Sequence, residues 1–328
     1  VAITGQAEGT QLVLEDAQHH DLESGLADRF GSLVFRELTQ GAQYYVREPN
    51  NATTPFTVLR FEDHPAQSFY QAQTLVDGLN YIQMRDGTLL AAMVRPPLGN
   101  SFAPGRTFPT VVEYSGYAAA DPDNPQASTL IAGALGYATV AVNMRGSGCS
   151  GGILDLFDLP TTADGYDIIE IVGNQSWVRS GAVGMVGISF PGISQMFVGG
   201  AQPPHLVALA PFSVIGDIYR APGFPGGIFN NGFAESWLQE RADDAEPAPE
   251  GGQSWAINRV NNGDTTCLQN QTLRLQTQDP VAFTRDQPFY TPSLMDDRSP
   301  INWAAKIQVP TFLGGAWQDE QTGSGFAT

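Results

Sequence analysis

Basic side chains are scarce in this sequence. Its 328 residues include 16 lysines and arginines against 34 aspartates and glutamates, which gives a formal net charge of −18. Only 15% of the residues are charged, against about 25% in an ordinary soluble domain. The negative net charge therefore comes mainly from a shortage of basic side chains, and Lys306 is the sole lysine. Without a basic patch, binding to nucleic acids or to anionic membrane surfaces is not expected.

Long apolar runs and metal-ligand patterns are also missing. No stretch of about 18 apolar residues occurs, so no transmembrane segment is expected. The four histidines have no ligand spacing and the two cysteines form no C-x-x-C pair, so neither a metal nor another cofactor is predicted. The sequence starts at Val1 without a charged-then-apolar leader, as expected for a processed chain or one that starts internally.

What is present is an alternation of strands and helices. Asp86-Gly87 between two apolar runs predicts a hairpin. Short apolar runs predict buried strands at 110–114, 137–143, 182–187, 206–210 and 309–314. The intervening patterns predict helices at 129–135, 161–172 and 191–199, with one more at 233–241. This order is typical of an α/β protein.

The pattern is interrupted by some 80 irregular residues, which suggests an insertion. We expect residues 1–75 to be an N-terminal extension of unknown role. Residues 76–215 and 299–328 would form the core, a mostly parallel sheet with helices on both faces. Residues 216–298 would form a cap over the carboxyl edge of the sheet, where ligands bind in open α/β folds.

The strongest chemical signal is the sequence VGMVGISFPG at residues 183–192. A predicted strand runs into Gly187-Ile188-Ser189 and then directly into a helix, which is the context of a nucleophile elbow. The second glycine of G-x-S-x-G stands one place late, at Gly192. The alternative is a strand–helix turn whose serine only caps the helix.

A second glycine-rich segment, residues 146–151, fits G-x-G-x-x-G after a strand. A dinucleotide site requires a long helix directly after the glycines and an acid at the end of the next strand. Here Pro160 interrupts early, and Asp164 and Asp167 open a helix instead. We therefore expect this loop to shape the rim of the active site, with Arg145 bonding structural carboxylates or carbonyls.

Seven short motifs occur in order along the chain. They are MRDGTL (84–89), RG with SG (145–146 and 150–151), DGYD (164–167), QSW (175–177), VGMVGISFPG (183–192), DIYR (217–220) and VPTFLGGAWQD (309–319). Over residues 79–325 the sequence thereby resembles the cocaine esterase/X-prolyl dipeptidyl-peptidase group of α/β-hydrolases, also called CocE/NonD hydrolases.

The resemblance implies roles for particular residues. Ser189 would be the nucleophile and Asp319 the carboxylate that orients a catalytic histidine. The backbone N–H of Phe190 and the hydroxyl of Tyr117 would form the oxyanion hole, although an ordinary loop tyrosine is the alternative for Tyr117. The fold implied is that of an α/β-hydrolase with an inserted cap.

The histidine that this mechanism requires is missing from the expected place. In the family it follows the aspartate, but the nine residues after Asp319 contain none. His205 precedes a buried strand and should lie far from Ser189, while the others, His19, His20 and His64, fall in the N-terminal extension. We therefore expect a C-terminal remainder of the same protein, or a separate chain, to supply the histidine.

These observations predict a serine hydrolase that cleaves carboxylic esters or amides through an acyl-enzyme, with a small-molecule ester, amide or short peptide as substrate. An X-prolyl dipeptidyl peptidase and an α-amino-acid ester or β-lactam acylase are the alternatives within the class. The absent histidine leaves open a non-catalytic, hydrolase-fold binding subunit.

The two cysteines, Cys149 and Cys267, are either free thiols or a disulfide that ties the loop after the second sheet strand to the cap. Few lysines, uncharged polar loops and the absence of an initiator methionine suggest an exported protein. Disulfides persist in oxidising compartments, so we expect the bridge and a secreted or cell-envelope location.

Overall fold

The computed structural model describes residues 1–49 and 55–319. Its strands are β1 (Ala2–Ile3), β2 (Gln11–Glu15), β3 (Asp21–Leu26), β4 (Leu33–Val34), β5 (Gln43–Arg47), β6 (Phe56–Thr57), β7 (Gly78–Gln83), β8 (Leu89–Arg95), β9 (Phe108–Ser115), β10 (Ala138–Asn143), β11 (Val178–Ile188) and β12 (Leu206–Phe212). Its α-helices are α1 (Gln67–Gln71), α2 (Ala127–Ala134), α3 (Leu159–Gly173), α4 (Phe190–Ala201), α5 (Phe233–Asp244), α6 (Ser254–Asn261), α7 (Thr265–Gln269), α8 (Pro280–Arg285), α9 (Pro292–Met295) and α10 (Ile301–Ala304).

A six-stranded sheet in the order β12-β11-β9-β10-β8-β7 forms the centre of the molecule. β9 to β12 are parallel, and the β7–β8 hairpin pairs antiparallel to β10. All six residues of β10 are buried, because strands covered on both faces are apolar throughout rather than alternating. α3 and α4 pack against each other and against β11. The predicted α/β architecture is confirmed.

The strand predicted at 309–314 is interrupted. Thr311 and Gly314 form isolated parallel bridges beside β12, to Leu209 and Phe212. The Leu209 N–H donates to the Pro310 carbonyl, but Pro211 has no N–H for the next bond of the ladder. The pairing is therefore split in two, although the segment still runs parallel to β12 and extends the sheet.

The N-terminal residues form a separate sheet in the order β3-β2-β5-β6, with its own small apolar core. This part contacts the predicted cap through an ion pair between Arg29 and Glu250 and a hydrogen bond from Ser32 to the Thr272 carbonyl. The chain then crosses to α3, where the Tyr70 hydroxyl donates to Asp167 over 2.8 Å. The described residues before position 76 thus contact both the cap and the core.

Residues 216–298 contain α5 to α9 joined by irregular chain. The expected disulfide is confirmed, and it joins Cys149 after β10 to Cys267 in α7. The acidic residues Asp243 and Asp244 lie in the last turn of α5. Among the described residues, no helix has the length and apolarity to cross a membrane.

Candidate active site

Ser189 lies between β11 and α4, at the carboxyl edge of the sheet. Its backbone has φ 64° and ψ −125°, a conformation that costs a non-glycine residue about 1–3 kcal/mol. The Ser189 N–H donates to the Phe212 carbonyl over 3.0 Å, so the turn is fixed from the neighbouring strand. A strained serine at a sharp strand-to-helix turn is the geometry of a nucleophile elbow.

The glycines around Ser189 explain the departure from G-x-S-x-G. A Cβ on Gly187 would lie 2.6 Å from the Cβ of Pro191, and a Cβ on Gly192 would lie 2.2 Å from the Phe212 carbonyl oxygen. The close approach of α4 to β12 therefore falls at Gly192. Pro191 stands in the first turn of α4, where no intrahelical N–H bond is lost.

Tyr117 is the predicted site residue that the structure brings to Ser189. Its hydroxyl lies 3.2 Å from the Ser189 Oγ, and its ring packs edge-on against Phe190. The Phe190 N–H is in the first turn of α4, where backbone donors have no intrahelical acceptor. Both predicted oxyanion donors thus lie beside the serine.

A tryptophan from the cap holds the Tyr117 hydroxyl. The Trp237 Nε1–H in α5 donates to the Tyr117 oxygen over 2.9 Å. An indole N–H can only donate, so the tyrosine oxygen accepts this bond and keeps its own proton for another partner. The Tyr117 proton is therefore available to Ser189 or to an oxyanion that forms there.

The backbone of the Tyr117 loop is also tied down by side chains. The Asn143 Nδ2 donates to the Tyr117 carbonyl, and the Gln253 Nε2 of the cap donates to the Gly116 carbonyl, both over 2.9 Å. Gly116 itself has no room for a side chain, since a Cβ would lie 2.4 Å from the Phe190 ring. The loop is thus held between β10, the cap and α4.

Asp319 closes the described part of the chain and is half-buried. It follows the segment that bridges β12 in parallel at Thr311 and Gly314. Because β11 and β12 are also parallel, Ser189 and Asp319 both follow the carboxyl ends of the two segments that flank β12. This is the edge at which the predicted triad would assemble, and the triad role of Asp319 stays a prediction.

All four histidines lie in the described part of the chain, and each has partners away from Ser189. His205 binds Glu170 over 2.9 Å at the amino end of β12, the opposite edge of the sheet. His64 stacks on Tyr166, while His19 and His20 pair with carboxylates of the N-terminal hairpin. That none of them replaces the triad histidine stays a prediction.

In the glycine-rich loop after β10, Arg145 binds structural carboxylates, as expected, while the role of the loop as a rim of the active site stays a prediction. Arg145 makes a bidentate pair with Asp164, at 2.7 and 2.6 Å, and a further bond to Asp86 over 3.0 Å. Burial raises the pKa of the Asp164 carboxyl to about 7, against the opposing effect of Arg145. No cluster of potential metal ligands occurs among the described residues.

A narrow apolar cavity of about 40 Å³ lies next to Trp237. It is lined mainly by apolar side chains from the core and the cap, among them Phe157, Ile193, Ile215 and Leu238. The Trp237 ring thus faces this cavity, while its N–H binds Tyr117.

Sequence reasoning missed the side chains that position Tyr117. Trp237 and Arg241 stand four residues apart in the predicted 233–241 helix, which places them on one face. That spacing is the only local signal. For Gln253 the sequence contains no local signal, because its contact with Gly116 spans 137 residues of sequence.

The chain is similar to known proteins in sequence and in fold. The family model of X-Pro dipeptidyl-peptidases (S15 family) matches residues 86–327. A predicted serine esterase from Mycobacterium bovis is 34% identical over 105 residues, which cover 32% of this chain and 17% of that protein.

Solved structures share the fold at low sequence identity. A CocE/NonD family hydrolase from Staphylococcus aureus gives a TM-score of 0.53 at 23% identity, over 71% of this chain and 39% of that one. An aminopeptidase from a marine sediment Thaumarchaeota archaeon gives 0.53 at 18% identity, over 78% and 45%. An α-amino acid ester hydrolase gives 0.50 at 20% identity, over 74% and 43%.

The chain thus spans less than half of these solved relatives and a smaller part of the esterase. The structures support the α/β-hydrolase fold, with the CocE/NonD hydrolases among the neighbours. Since the family model covers more than half of the chain, the protein belongs to the S15 family of X-Pro dipeptidyl-peptidases.

Proposed function

We propose that the protein is a serine hydrolase that cleaves carboxylic ester or amide bonds through an acyl-enzyme, with Ser189 as nucleophile. The observation that carries the proposal is Ser189 on its strained turn, with the Tyr117 hydroxyl 3.2 Å from its Oγ. A strained backbone is retained where the surrounding structure enforces it, and such residues cluster at active sites.

In the proposed reaction, the Ser189 Oγ attacks the substrate carbonyl carbon, and its proton passes to a general base. The carbonyl oxygen becomes an oxyanion that accepts hydrogen bonds from the Phe190 N–H and the Tyr117 hydroxyl. The intermediate collapses, the bond to the leaving group breaks, and the base returns the proton to that group. Water then releases the acyl group from Ser189 by the same steps. Each oxyanion donor is worth roughly a 100-fold rate increase.

The mechanism needs a histidine that this chain does not bring to Ser189. We propose that it comes from polypeptide outside these 328 residues, either a continuation of the chain or a second chain, with Asp319 orienting it. The positions of the four histidines support this, as does the greater length of the solved relatives. The intact mass of the natural protein, with any copurifying chain, tests it. A complete protein of 328 residues that hydrolyses esters would contradict it.

The contacts of the cap favour an ester or acyl substrate over a peptide with a free amino terminus. Two acidic residues of α5 that could bind a substrate ammonium group already have partners: Asp244 pairs with Arg241 over 3.0 Å, and Asp243 accepts from Gln239 over 2.8 Å. The apolar cavity beside Trp237 would take a small acyl group. Hydrolysis of amino-blocked and unblocked aminoacyl esters and anilides distinguishes an esterase from an X-prolyl dipeptidyl peptidase. The peptidase would hydrolyse only substrates with a free amine.

The test of the proposed function is Ser189→Ala in the intact protein, assayed with p-nitrophenyl acetate and butyrate. We expect a loss in kcat of about 10⁴-fold or more, because the triad residues act as a unit. Fluorophosphonate labelling should disappear with it. Ser176→Ala, at an exposed serine, is the matched control and should keep both. A non-catalytic binding subunit would show neither hydrolysis nor labelling in the parent protein, and this would refute the proposal.

We also propose that the protein is exported to the cell surface or the medium. The disulfide between Cys149 and Cys267 supports this, since such bonds are rare in reducing compartments. Fractionation of the source cells, with thiol trapping of the protein in each fraction, tests it. Recovery of the protein in the cytosol with both thiols free would be the opposite result.

A further inference from the structure

Helix α5 of the cap presents two side chains to Tyr117. Trp237 binds its hydroxyl, and Arg241 lies one helical turn further on. The guanidinium carbon of Arg241 is 4.7 Å from the centre of the Tyr117 ring and 5.5 Å from that of Trp237. Arg241 therefore contacts the ring whose hydroxyl lies beside Ser189.

The surroundings of Arg241 are unusual for an arginine. The side chain is buried, with 6% of the residue exposed, and its Nη2 pairs with Asp244 over 3.0 Å. Its Nε is buried without a hydrogen-bond partner in the described part of the chain. An unmade hydrogen bond of a buried donor is destabilising, so packing of α5 alone would favour an uncharged side chain. The faces of the two aromatic rings stabilise the cation instead.

We propose that Arg241 is a positioning residue of the oxyanion hole, which holds the Tyr117 ring beside Ser189 and makes its hydroxyl a stronger hydrogen-bond donor. The inference rests on the proposed function, in which Tyr117 is the second oxyanion donor. A positive charge over the ring stabilises the electron density that the phenol oxygen gains when its proton is shared. Because this sharing increases as the oxyanion forms, the effect belongs to the transition state and should change kcat more than KM.

A direct role in binding an acidic substrate fits the structure less well. Arg241 is almost fully covered and already carries the carboxylate of Asp244 as its counter-ion. A substrate carboxylate would have to displace Asp244 from a buried pair. This role makes a different kinetic prediction, since loss of Arg241 would raise KM for acidic esters and leave neutral esters unaffected.

The experiment uses the intact protein and the neutral substrate p-nitrophenyl butyrate. Arg241→Met removes the charge at similar length, and Arg241→Lys keeps it. We expect kcat to fall about tenfold for the methionine variant, with most of it restored by lysine. KM should change less than about twofold. Arg259→Met is the control, because Arg259 is another cap arginine paired with an aspartate, Asp264, over 2.7 Å. It should keep the parent kcat.

The decisive step repeats Arg241→Met in a Tyr117→Phe background. Phenylalanine keeps the ring and its packing but lacks the hydroxyl through which Arg241 would act, so the second substitution should then change kcat by less than about twofold. If the tenfold loss persists there, Arg241 has only a structural role and the inference is wrong. A change confined to KM for acidic esters would also overturn it. If Arg241→Met does not fold, Arg241→Gln replaces it in both backgrounds.

Failure of the inference can be told from failure of the proposed function. The proposed function fails if Ser189→Ala keeps its activity. The inference alone fails if Ser189→Ala is inactive while Tyr117→Phe keeps the parent kcat, because Arg241 then has no oxyanion donor to act on. The expected pattern is a loss of about 100-fold for Tyr117→Phe.

Discussion

Ser189 and Tyr117 are neighbours in space, yet different parts of the molecule position them. Ser189 is fixed by the backbone of the core, through β11, α4 and the bond from its N–H to Phe212. Tyr117 is fixed largely by side chains, and two of these, Trp237 and Gln253, come from the cap. The position of the proposed nucleophile therefore depends on the core fold, whereas the position of the proposed oxyanion donor depends on how the cap packs on the core.

Under the proposed mechanism, the cap would contribute to catalysis as well as line the cavity beside Trp237. Changes that loosen the cap should weaken transition-state stabilisation while the elbow stays formed. Changes at the elbow should instead disturb the sheet and α4 together. Removal of a link between cap and core therefore tests the support of Tyr117. A substitution at the elbow tests the support of Ser189.

The largest effect is expected from removal of the disulfide by Cys149→Ala with Cys267→Ala. The bridge spans 118 residues of sequence, and closing a loop of that size stabilises a protein by about 4 kcal/mol. Chemical denaturation should show this loss, and kcat should fall because the cap no longer holds Tyr117 firmly. The parent protein under strong reductant is the matched control and should show a similar loss. Unchanged stability in both samples would mean that the cap is held by other contacts.

The elbow is tested by Gly192→Ala. The new Cβ would lie 2.2 Å from the backbone oxygen of Phe212, so α4 must move away from β12, and overpacking of this kind costs about 2–3 kcal/mol. Gly133→Ala is the control, since a Cβ there meets no atom within 4 Å and Gly133 lies in α2. It should be neutral or slightly stabilising. Equal thermal stability of the two variants would show that α4 does not need the close approach at Gly192.

The contrast between Ser189 and Tyr117 also explains which features could be predicted from the sequence. The elbow is predictable because its strand, turn and helix follow each other within residues 183–199. Gly192, although one place later than in G-x-S-x-G, still marks where α4 approaches β12. The parallel strands were predictable from continuous apolar runs. The interrupted strand at 309–314 was not, since the break arises from Pro211 on the neighbouring strand rather than from the segment itself.

The support of Tyr117 could not be read from the sequence for a related reason. Its role was implied only by family resemblance, and its bond to Trp237 joins residues 120 positions apart. Apart from their four-residue spacing, nothing local distinguishes Trp237 or Arg241 from residues that only pack a helix. Such contacts depend on where the cap docks, and its seating follows from many weak contacts that no short pattern encodes.

The smallest effect is expected from Trp237→Phe, which tests the dependence on the cap one hydrogen bond at a time. Phenylalanine keeps an aromatic ring beside Phe190 but removes the N–H that binds the Tyr117 oxygen over 2.9 Å. A hydrogen bond of this kind contributes about 1 kcal/mol, so kcat for a neutral ester should fall about fivefold to tenfold. Stopped-flow or steady-state hydrolysis of p-nitrophenyl butyrate measures this.

The matched control is Trp303→Phe, which removes an indole N–H that donates to the Asp297 carbonyl over 2.9 Å. Trp303 is in α10, a different helix from that of Trp237. This substitution should cost similar stability and leave kcat unchanged. Two equal losses in kcat would mean that the Trp237 effect reflects packing alone. A loss for Trp237→Phe that disappears in the Tyr117→Phe background would instead show that the cap acts on catalysis through the tyrosine hydroxyl, because phenylalanine at position 117 has no hydroxyl for Trp237 to bind.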